Sequence, residues 1–381
     1  MELFLSSMIL YQYAIYMKIL QIVFSIGFGG AERFVVDLSN ELSKNHDVTL
    51  LTLKEDKSNP DDTFYKFDLS SRVHYDNLGL PQKFTPVGLW RVYQYIRQLM
   101  PDVVHMHLAG MPKFCYLANL ILGNKITFVQ TIHNDIHKGY KNLLYDVVNF
   151  TLGRTGKIRF AALSETNYKD LCKVYPKTLS TCITNGRAPI EKTTAFETVA
   201  KEIEGYKKYA DAKVVIHIAR CNTQKNQELL ISGFNQLIED GYHATLIILG
   251  GGFKSTLGEK LKQMACNEVH FLGPKENVGD YLMNSDVFTL SSHFEGMPIT
   301  LLEAMLCGVP MVSTPVCGAV DVIDGKNGVL AKDFTKEEYV KALECVLQDT
   351  DSYKKYAQKA ALNSPYTIQK CAAKYVEFYK Y

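Results

Sequence analysis

The feature that most constrains this chain is an alternation, made twice, of short apolar β-branched runs with longer stretches of helical period. Residues 19–25 form such a run and lead into Gly27-Phe28-Gly29-Gly30. Phe34, Val35, Leu38 and Leu42 then recur at i, i+1, i+4 and i+8, and residues 48–53 make the next run. Strand, glycine turn, helix, strand is a βαβ unit, and parallel strands need such a crossover to join them. Runs over 103–107, 126–131, 160–163 and 179–184 continue the series, with a helix over 90–100 stopped by Pro101. The turn dipeptide Asn185-Gly186 closes this half, and a polar, lysine-rich stretch over 187–211 holds the linker. A second series follows: strands over 214–219, 245–249, 269–272, 287–290 and 311–313, helices over 227–239 and 298–307, and mainly helix after residue 335. Strands apolar along their whole length lie in sheets covered on both faces. The expected class is therefore α/β, with two doubly wound Rossmann-like domains facing across a cleft.

Length and composition agree. A chain of 381 residues is long for one domain and comfortable for two, and 47% apolar with 22% charged residues is the balance of a globular protein. A formal net charge of +2 gives no global field for nucleic acid, so no nucleic-acid partner is expected. Nine dispersed cysteines without a CxxC pair read as reduced thiols in a cytoplasmic protein, and no cluster has metal-ligand spacing. Residues 1–16 are mostly apolar without Lys or Arg, so they make a poor signal peptide. Met17 reads as the natural start, with a short membrane-associating leader as the alternative. The expected domains are residues 1–16 as an extension, 17–188 as the N-terminal domain and 189–364 as the C-terminal one.

Ligands of doubly wound domains bind at the carboxyl ends of the strands, so polar residues just after strands carry the candidate chemistry. Glu295 and Glu303 stand eight apart, Glu295 in a loop and Glu303 inside the next helix, roughly two turns beyond Glu295, among Leu301, Leu302, Met305 and Leu306. Pro298 suits the first helical position. The N–H groups of Ile299 and Thr300 behind it then form an anion site at the positive end of the helix dipole, with Gly296 allowing close backbone approach. Carboxylates only accept, which suits sugar hydroxyls. Arg220 follows one strand, and Lys225 precedes the next helix; two cations there can clamp a diphosphate. His133 follows the strand over 126–131 and reads either as a ligand contact or as a rim histidine; Asn134 comes next. His105 and His107 point to one face of their strand, His105 for packing and His107 toward a second substrate. The Gly27-Phe28-Gly29-Gly30 turn lacks GxGxxG spacing, and no P-loop, nucleophile elbow or metal-binding DxD is present. Asp61-Asp62 reads as a turn.

Together these positions resemble the GT-B glycosyltransferases of family 4, the glycosyl transferases group 1, which retain anomeric configuration. Gly29-Gly30-Ala31-Glu32-Arg33 resembles the family's glycine loop, Arg220 through Lys225-Asn226 its phosphate-binding segment, Phe294-Glu295-Gly296-Met297-Pro298 through Glu303-Ala304 its E-x7-E motif, and Gly308-Val309-Pro310 with Ser313-Thr314 and Gly318 the strand and turn that follow. The likeness is specific from Arg220 to Ile323 and loose from Lys54 to Leu89. It implies an N-terminal acceptor-side domain to which residues 365–381 return, and a C-terminal donor domain. It also implies a catalytic set of His133, Glu295, Arg220 and Lys225. The donor would be held by Gly30, Arg220, Lys225, Glu295, Gly296, Met297, Pro298, Ile299, Thr300 and Glu303, with Glu303 on the ribose, and the acceptor side lined by His107 and Asn134. The implied donor is a UDP- or GDP-sugar, the implied acceptor a glycan or lipid-linked glycan of surface polysaccharide synthesis, with no metal and no cofactor. A cytoplasmic protein, peripheral to the inner face of the plasma membrane, would fit. Asp321 stands where Glu is commoner, and Asn45-His46-Asp47 lacks the usual glycine. A sugar-nucleotide epimerase of the same fold and a non-catalytic partner subunit are the alternatives.

Overall fold

The computed structural model describes residues 16–54, 60–81, 84–108, 110–134, 143–176 and 178–380. The expectations for residues 1–15 lie outside these. Two parallel sheets form the scaffold. The first has seven strands in the order β3-β2-β1-β4-β5-β6-β7: β1 Lys18–Val23, β2 Asp47–Lys54, β3 Val73–Leu80, β4 Val103–His107, β5 Thr127–Ile132, β6 Arg159–Ala162 and β7 Ser180–Cys182. The second has six in the order β10-β9-β8-β11-β12-β13: β8 Lys213–Ile218, β9 Ala244–Leu249, β10 Val269–Gly273, β11 Val287–Leu290, β12 Met311–Ser313 and β13 Gly328–Leu330. Each order reverses once, between β1 and β4 and between β8 and β11, and such a switch point leaves a crevice at the strands' carboxyl ends.

The helix Gly30–Leu42 follows from its sequence. Phe34, Val35, Leu38 and Leu42 bury one stripe against the first sheet, while Asp37 is buried and faces two arginines, Arg33 and Arg187. A continuous apolar cluster runs from Ile19 and Phe34 through Ile299, Leu301 and Leu302 to Ile216 and Phe288, so the two sheets share a core beneath the cleft.

Three expectations are corrected. Asn185-Gly186 is no turn; it is an extended strap, and Arg187 bridges to Thr367 as an isolated parallel pair. A Cβ on Gly186 would lie 2.5 Å from the Thr367 carbonyl oxygen, so only glycine admits this approach. The linker stretch contains the amphipathic helix Phe196–Glu204, which buries Val199 and Ile203. The strands β3 and β13 were not expected; each sits at a sheet edge, where a strand needs only part of the apolar pattern.

The last helix, Ile368–Lys380, packs on the first sheet although the chain reaches it from the second. Tyr375 and Tyr379 are buried there, and Arg159 Nη1 donates to the carbonyls of Phe378 at 3.0 Å and Tyr379 at 3.2 Å, capping the helix end with a cation.

Candidate functional site

Both switch points open into one cavity of about 680 Å³, the size range of a small-molecule site. Gly30, Arg33, His133, Asn134 and Arg187 line it from the first half, and Arg220, Lys225, Glu295, Met297, Pro298, Ile299, Thr300 and Glu303 from the second. His107 does not line it.

The helix Ile299–Leu306 aims its start into this cavity. Pro298 is the N-cap, with φ −67° and ψ 121°, not the first helical residue. Leu302 N donates to Pro298 O at 3.4 Å, so the N–H groups of Ile299, Thr300 and Leu301 precede the first bond of the ladder. Glu295 sits just before them, buried and held by three side chains. Ser292 Oγ donates to its Oε1 at 2.6 Å, Lys225 Nζ to the same oxygen at 2.6 Å, and Gln224 Nε2 to Oε2 at 3.4 Å. Lys225 is placed by a short turn in which Asn222 Oδ1 accepts its backbone N–H at 3.0 Å. Arg220, at the end of β8, is exposed and makes no ion pair among the described residues.

Glu303 lies on the same helix as part of a chain of charges. Its Oε1 accepts from Arg187 Nε at 2.9 Å, Arg187 Nη1 donates to Asp37 Oδ2 at 2.5 Å, and Asp37 Oδ1 accepts from Arg33 Nη2 at 2.6 Å. Arg187 joins the two halves through side chains buried to about nine-tenths, at 12% and 10% exposure for Arg187 and Glu303. Burial alone would lower its pKa; Glu303 and Asp37 outweigh that and hold it above the ordinary arginine value.

His133 closes a buried polar relay. His107 Nε2 donates to Gln21 Oε1 at 2.6 Å, which leaves His107 Nδ1 to accept from His133 Nε2 at 3.1 Å. His105 lies between Tyr379 OH at 2.7 Å and Thr131 Oγ1 at 2.7 Å. Burial lowers the His133 pKa to about 3 and those of His105 and His107 well below the usual value. His133 is therefore neutral at physiological pH and offers hydrogen bonding, not a proton.

Gly296 serves an approach other than the expected one. A Cβ there would lie 2.2 Å from His133 O, so the loop of the second half presses backbone to backbone on the first. Gly318, at φ +76°, lies beneath it; a Cβ would stand 2.7 Å from Gly296 O. Asn185 Nδ2 donates to Met297 O at 3.1 Å and completes the seam.

The structure thus brings the expected donor residues to one cavity, Asn134 with them, except Gly296, which is corrected: it packs on the His133 backbone and does not line the cavity. His107 is corrected: it is fully buried and reaches the cavity only through His133. Arg187, Asp37, Arg33, Gln224 and Asn185 were not foreseen. Arg33 and Asp37 stand four apart on a helix, a legible pair, whereas the reach of Arg187 to both Asp37 and Glu303 is set only by the tertiary fold.

The two parallel sheets with their helices define a GT-B fold, with a polar cleft between the sheets. HepE of Anabaena, crystallised with UDP and glucose, superposes with a TM-score of 0.79 at 20% identity, covering 96% of this chain and all of that one (100%). Residues 28–187 match Glycosyltransferase Family 4, and residues 199–362 match Glycosyl transferases group 1. The chain belongs to this family of glycosyltransferases. An uncharacterized glycosyltransferase of Methanocaldococcus jannaschii is 28% identical over 275 residues, 65% of this chain and 68% of that protein. A Campylobacter jejuni enzyme, the N-acetylgalactosamine-N,N'-diacetylbacillosaminyl-diphospho-undecaprenol 4-alpha-N-acetylgalactosaminyltransferase, is 24% identical over 366 residues, 89% of this chain and 92% of that one.

Proposed function

We propose that this chain moves a sugar from a nucleotide-diphosphate donor, a UDP-sugar first among the candidates, to a glycan or lipid-linked glycan of surface polysaccharide synthesis, with retention at the anomeric carbon. The observation that carries this reading is the meeting of Arg220, Lys225 and the start of the helix Ile299–Leu306 in one cavity with Glu295 and Glu303. Arg220 has no protein counter-ion among the described residues, and the Ile299 and Thr300 N–H groups lie before the helix ladder; a diphosphate satisfies both. Glu303 is held by Arg187 with one oxygen left to accept from ribose hydroxyls.

Retention is supported by what the carboxylates are already doing. Glu295 is bound by Ser292, Lys225 and Gln224, and Glu303 by Arg187, so neither is poised as a nucleophile. In the proposed step the bond from the anomeric carbon to the departing phosphate oxygen breaks. The acceptor oxygen bonds to that carbon from the same face, and the acceptor's proton passes to the phosphate oxygen. Arg220 and Lys225 stabilise the charge left on the diphosphate, without a metal. Neutral His133 hydrogen-bonds the transferring sugar, and Gly30 borders the acceptor. Closure across the Gly296–His133 seam excludes water.

For its place of action we propose the inner face of the plasma membrane. The Campylobacter relative is named for a lipid-linked acceptor. Among the described residues no helix is long and apolar enough to cross a membrane, while Val87, Trp90, Leu120 and Ile121 are exposed on the paired helices Pro86–Leu99 and Met111–Leu122.

Calorimetry against UDP-, GDP-, ADP- and TDP-sugars in chelator tests the donor site, with Arg220→Ala as the diagnostic variant. Arg220 is exposed and unpaired, so its loss does not disturb the fold. A donor that binds the wild type, and the variant about tenfold or more weakly, supports the reading. No binding, or equal binding, favours a non-catalytic partner subunit, and free epimerised sugar without acceptor favours an epimerase.

A further inference from the structure

The cavity has two unlike walls. Its second-half wall sets cations, a helix start and carboxylates among aliphatic residues such as Ile218, Leu249 and Val278. Every phenyl or phenol ring among its described lining residues belongs to the first half: Phe28, Phe64, Tyr65 and Phe67. Phe28 immediately precedes Gly29-Gly30 at the end of the β1 loop. The other rings come from the 3₁₀ segment Pro60–Asp68.

Three of these rings, Phe28, Phe64 and Tyr65, form a built surface. Phe28 and Phe64 stack with centroids 3.5 Å apart at 30°, and Tyr65 meets Phe64 edge-on at 4.9 Å. Arg33 lies over the Tyr65 ring, 5.1 Å from its centroid, and pairs with Asp68. Tyr65 N donates to Ile26 O at 3.0 Å, and Asn40 ties down both ends of the next turn, donating to Asp68 O at 2.8 Å and accepting from Ser70 N at 2.7 Å. The segment is thus clamped to the helix Gly30–Leu42. Phe67 nevertheless stands 94% exposed at its rim. A phenylalanine so exposed beside a ligand cleft, on a segment held in place, has no packing role in the chain itself.

We propose that Phe28, Phe64 and Phe67 form the acceptor subsite and stack on a pyranose ring of a glycan acceptor. The proposal rests on the transferase reading above, which it deepens by naming the acceptor's chemistry. A pyranose presents C–H groups on one face and hydroxyls around its edge. The face suits an aromatic ring, which sheds water from apolar area. The edge needs acceptors and donors, and the Glu32 and Asp68 carboxylates with the Arg33 guanidinium border the rings. A lipid chain would gain from the rings but would press against that charged border. A nucleobase would also stack, but the diphosphate site on the opposite wall places the nucleotide in the second half. The Gly29-Gly30 turn joins the rings to the start of the helix Ile299–Leu306, since a Cβ on Gly30 would lie 3.3 Å from the Ile299 side chain. A sugar on the platform therefore lies beside the donor.

Saturation-transfer NMR of the full chain with methyl glycosides of glucose, galactose and their N-acetylated 2-amino counterparts tests the platform, with decyl phosphate as the lipid arm. Donor calorimetry is run on the same samples. The expected result is saturation of ring C–H protons of at least one glycoside by the wild type, binding about tenfold weaker in Phe67→Ala, and recovery in Phe67→Tyr. Both variants keep donor affinity and melting temperature. The platform is overturned if no glycoside binds the wild type, if Phe67→Ala and Phe64→Ala bind glycosides as the wild type does, or if decyl phosphate alone is saturated. Intact donor binding in any of those cases leaves the transferase reading standing; absent donor binding defeats that reading whatever the glycosides do.

Discussion

At the scale of single residues the site is governed by buried charge. Glu303 has two tasks, one toward the proposed ribose and one toward Arg187, and the second affects stability. Glu303→Ala leaves Arg187 with Asp37 alone in a largely buried position, and removing one partner of a buried pair is costly. The variant should lose about 3 kcal/mol in urea denaturation without donor, whereas Arg220→Ala should stay within about 0.5 kcal/mol of the wild type. Equal stability of the two would mean that the Arg187 bridge is not formed in solution. The histidines set a pH dependence. Burial lowers the pKa of His133 to about 3 and that of His217, fully buried on β8 with its Nδ1 2.9 Å from Thr289 O, to about 4, against an ordinary value of 6.5, and holds His105 and His107 well below it. A lowered folded value means that the unfolded chain takes the proton first. Stability is therefore full above pH 6.5 and falls as pH drops toward 4, by about 1.4 kcal/mol per pH unit for each such histidine. Urea midpoints from pH 7.5 to 5 should show this decline, and His217→Gln should reduce its slope. A midpoint unchanged across that range would contradict neutral burial of these rings.

At the scale of elements, legibility divides along one line. Runs buried on both faces, such as β4, β9 and β11, were readable because every position carried the signal. Edge strands were not: β3 spends six of its eight positions half-buried or exposed, so His74, Asp76 and Asn77 break the pattern. In the site, Glu295, Glu303 and Arg220 were legible from their places after strands and at a helix start. Arg187 was not, because its partners lie 150 residues back and 116 residues on, and only the strap over 183–187 brings them together. The glycine at 296 is legible as a point of close backbone approach, but the backbone it meets is the protein's own and not a ligand. Gly296→Ala puts a methyl group onto the His133 carbonyl, which cannot yield without moving β5 or the seam. The expected outcome is a loss of transfer activity of about 100-fold, with donor affinity reduced much less. Parallel loss of both would mean that the loop deforms toward the donor instead of away from the first half.

At the scale of the whole molecule, the two sheets are joined by more than the linker. The chain leaves the second sheet, passes Thr367 against Arg187, and ends as a helix on the first. Gln21 Nε2, behind His107, donates to Tyr379 OH at 3.5 Å, and that hydroxyl also meets His105 Nδ1 at 2.7 Å while Tyr375 OH meets Thr131 Oγ1 at 2.8 Å, so the relay behind His133 ends on residues from the far end of the sequence. One face of the first sheet has a core of its own around Phe114 and Phe128, but the other is covered by this helix together with the helix Gly30–Leu42, whereas the core of the second sheet around Phe234, Tyr339 and Leu343 contains no residue of the last helix. A defect in the last helix should therefore be felt unequally. Tyr375→Ala removes a fully buried ring and should cost the first half about 3–5 kcal/mol. Amide exchange should lose protection in β1, β4 and β5, while β8 and β9 stay protected. Tyr375→Phe keeps the ring and loses only the hydroxyl contact to Thr131, a cost of about 1 kcal/mol. If both sheets lost protection together in Tyr375→Ala, the halves would be a single cooperative unit. Hinge closure between them would then require partial unfolding instead of the sliding of two intact bodies.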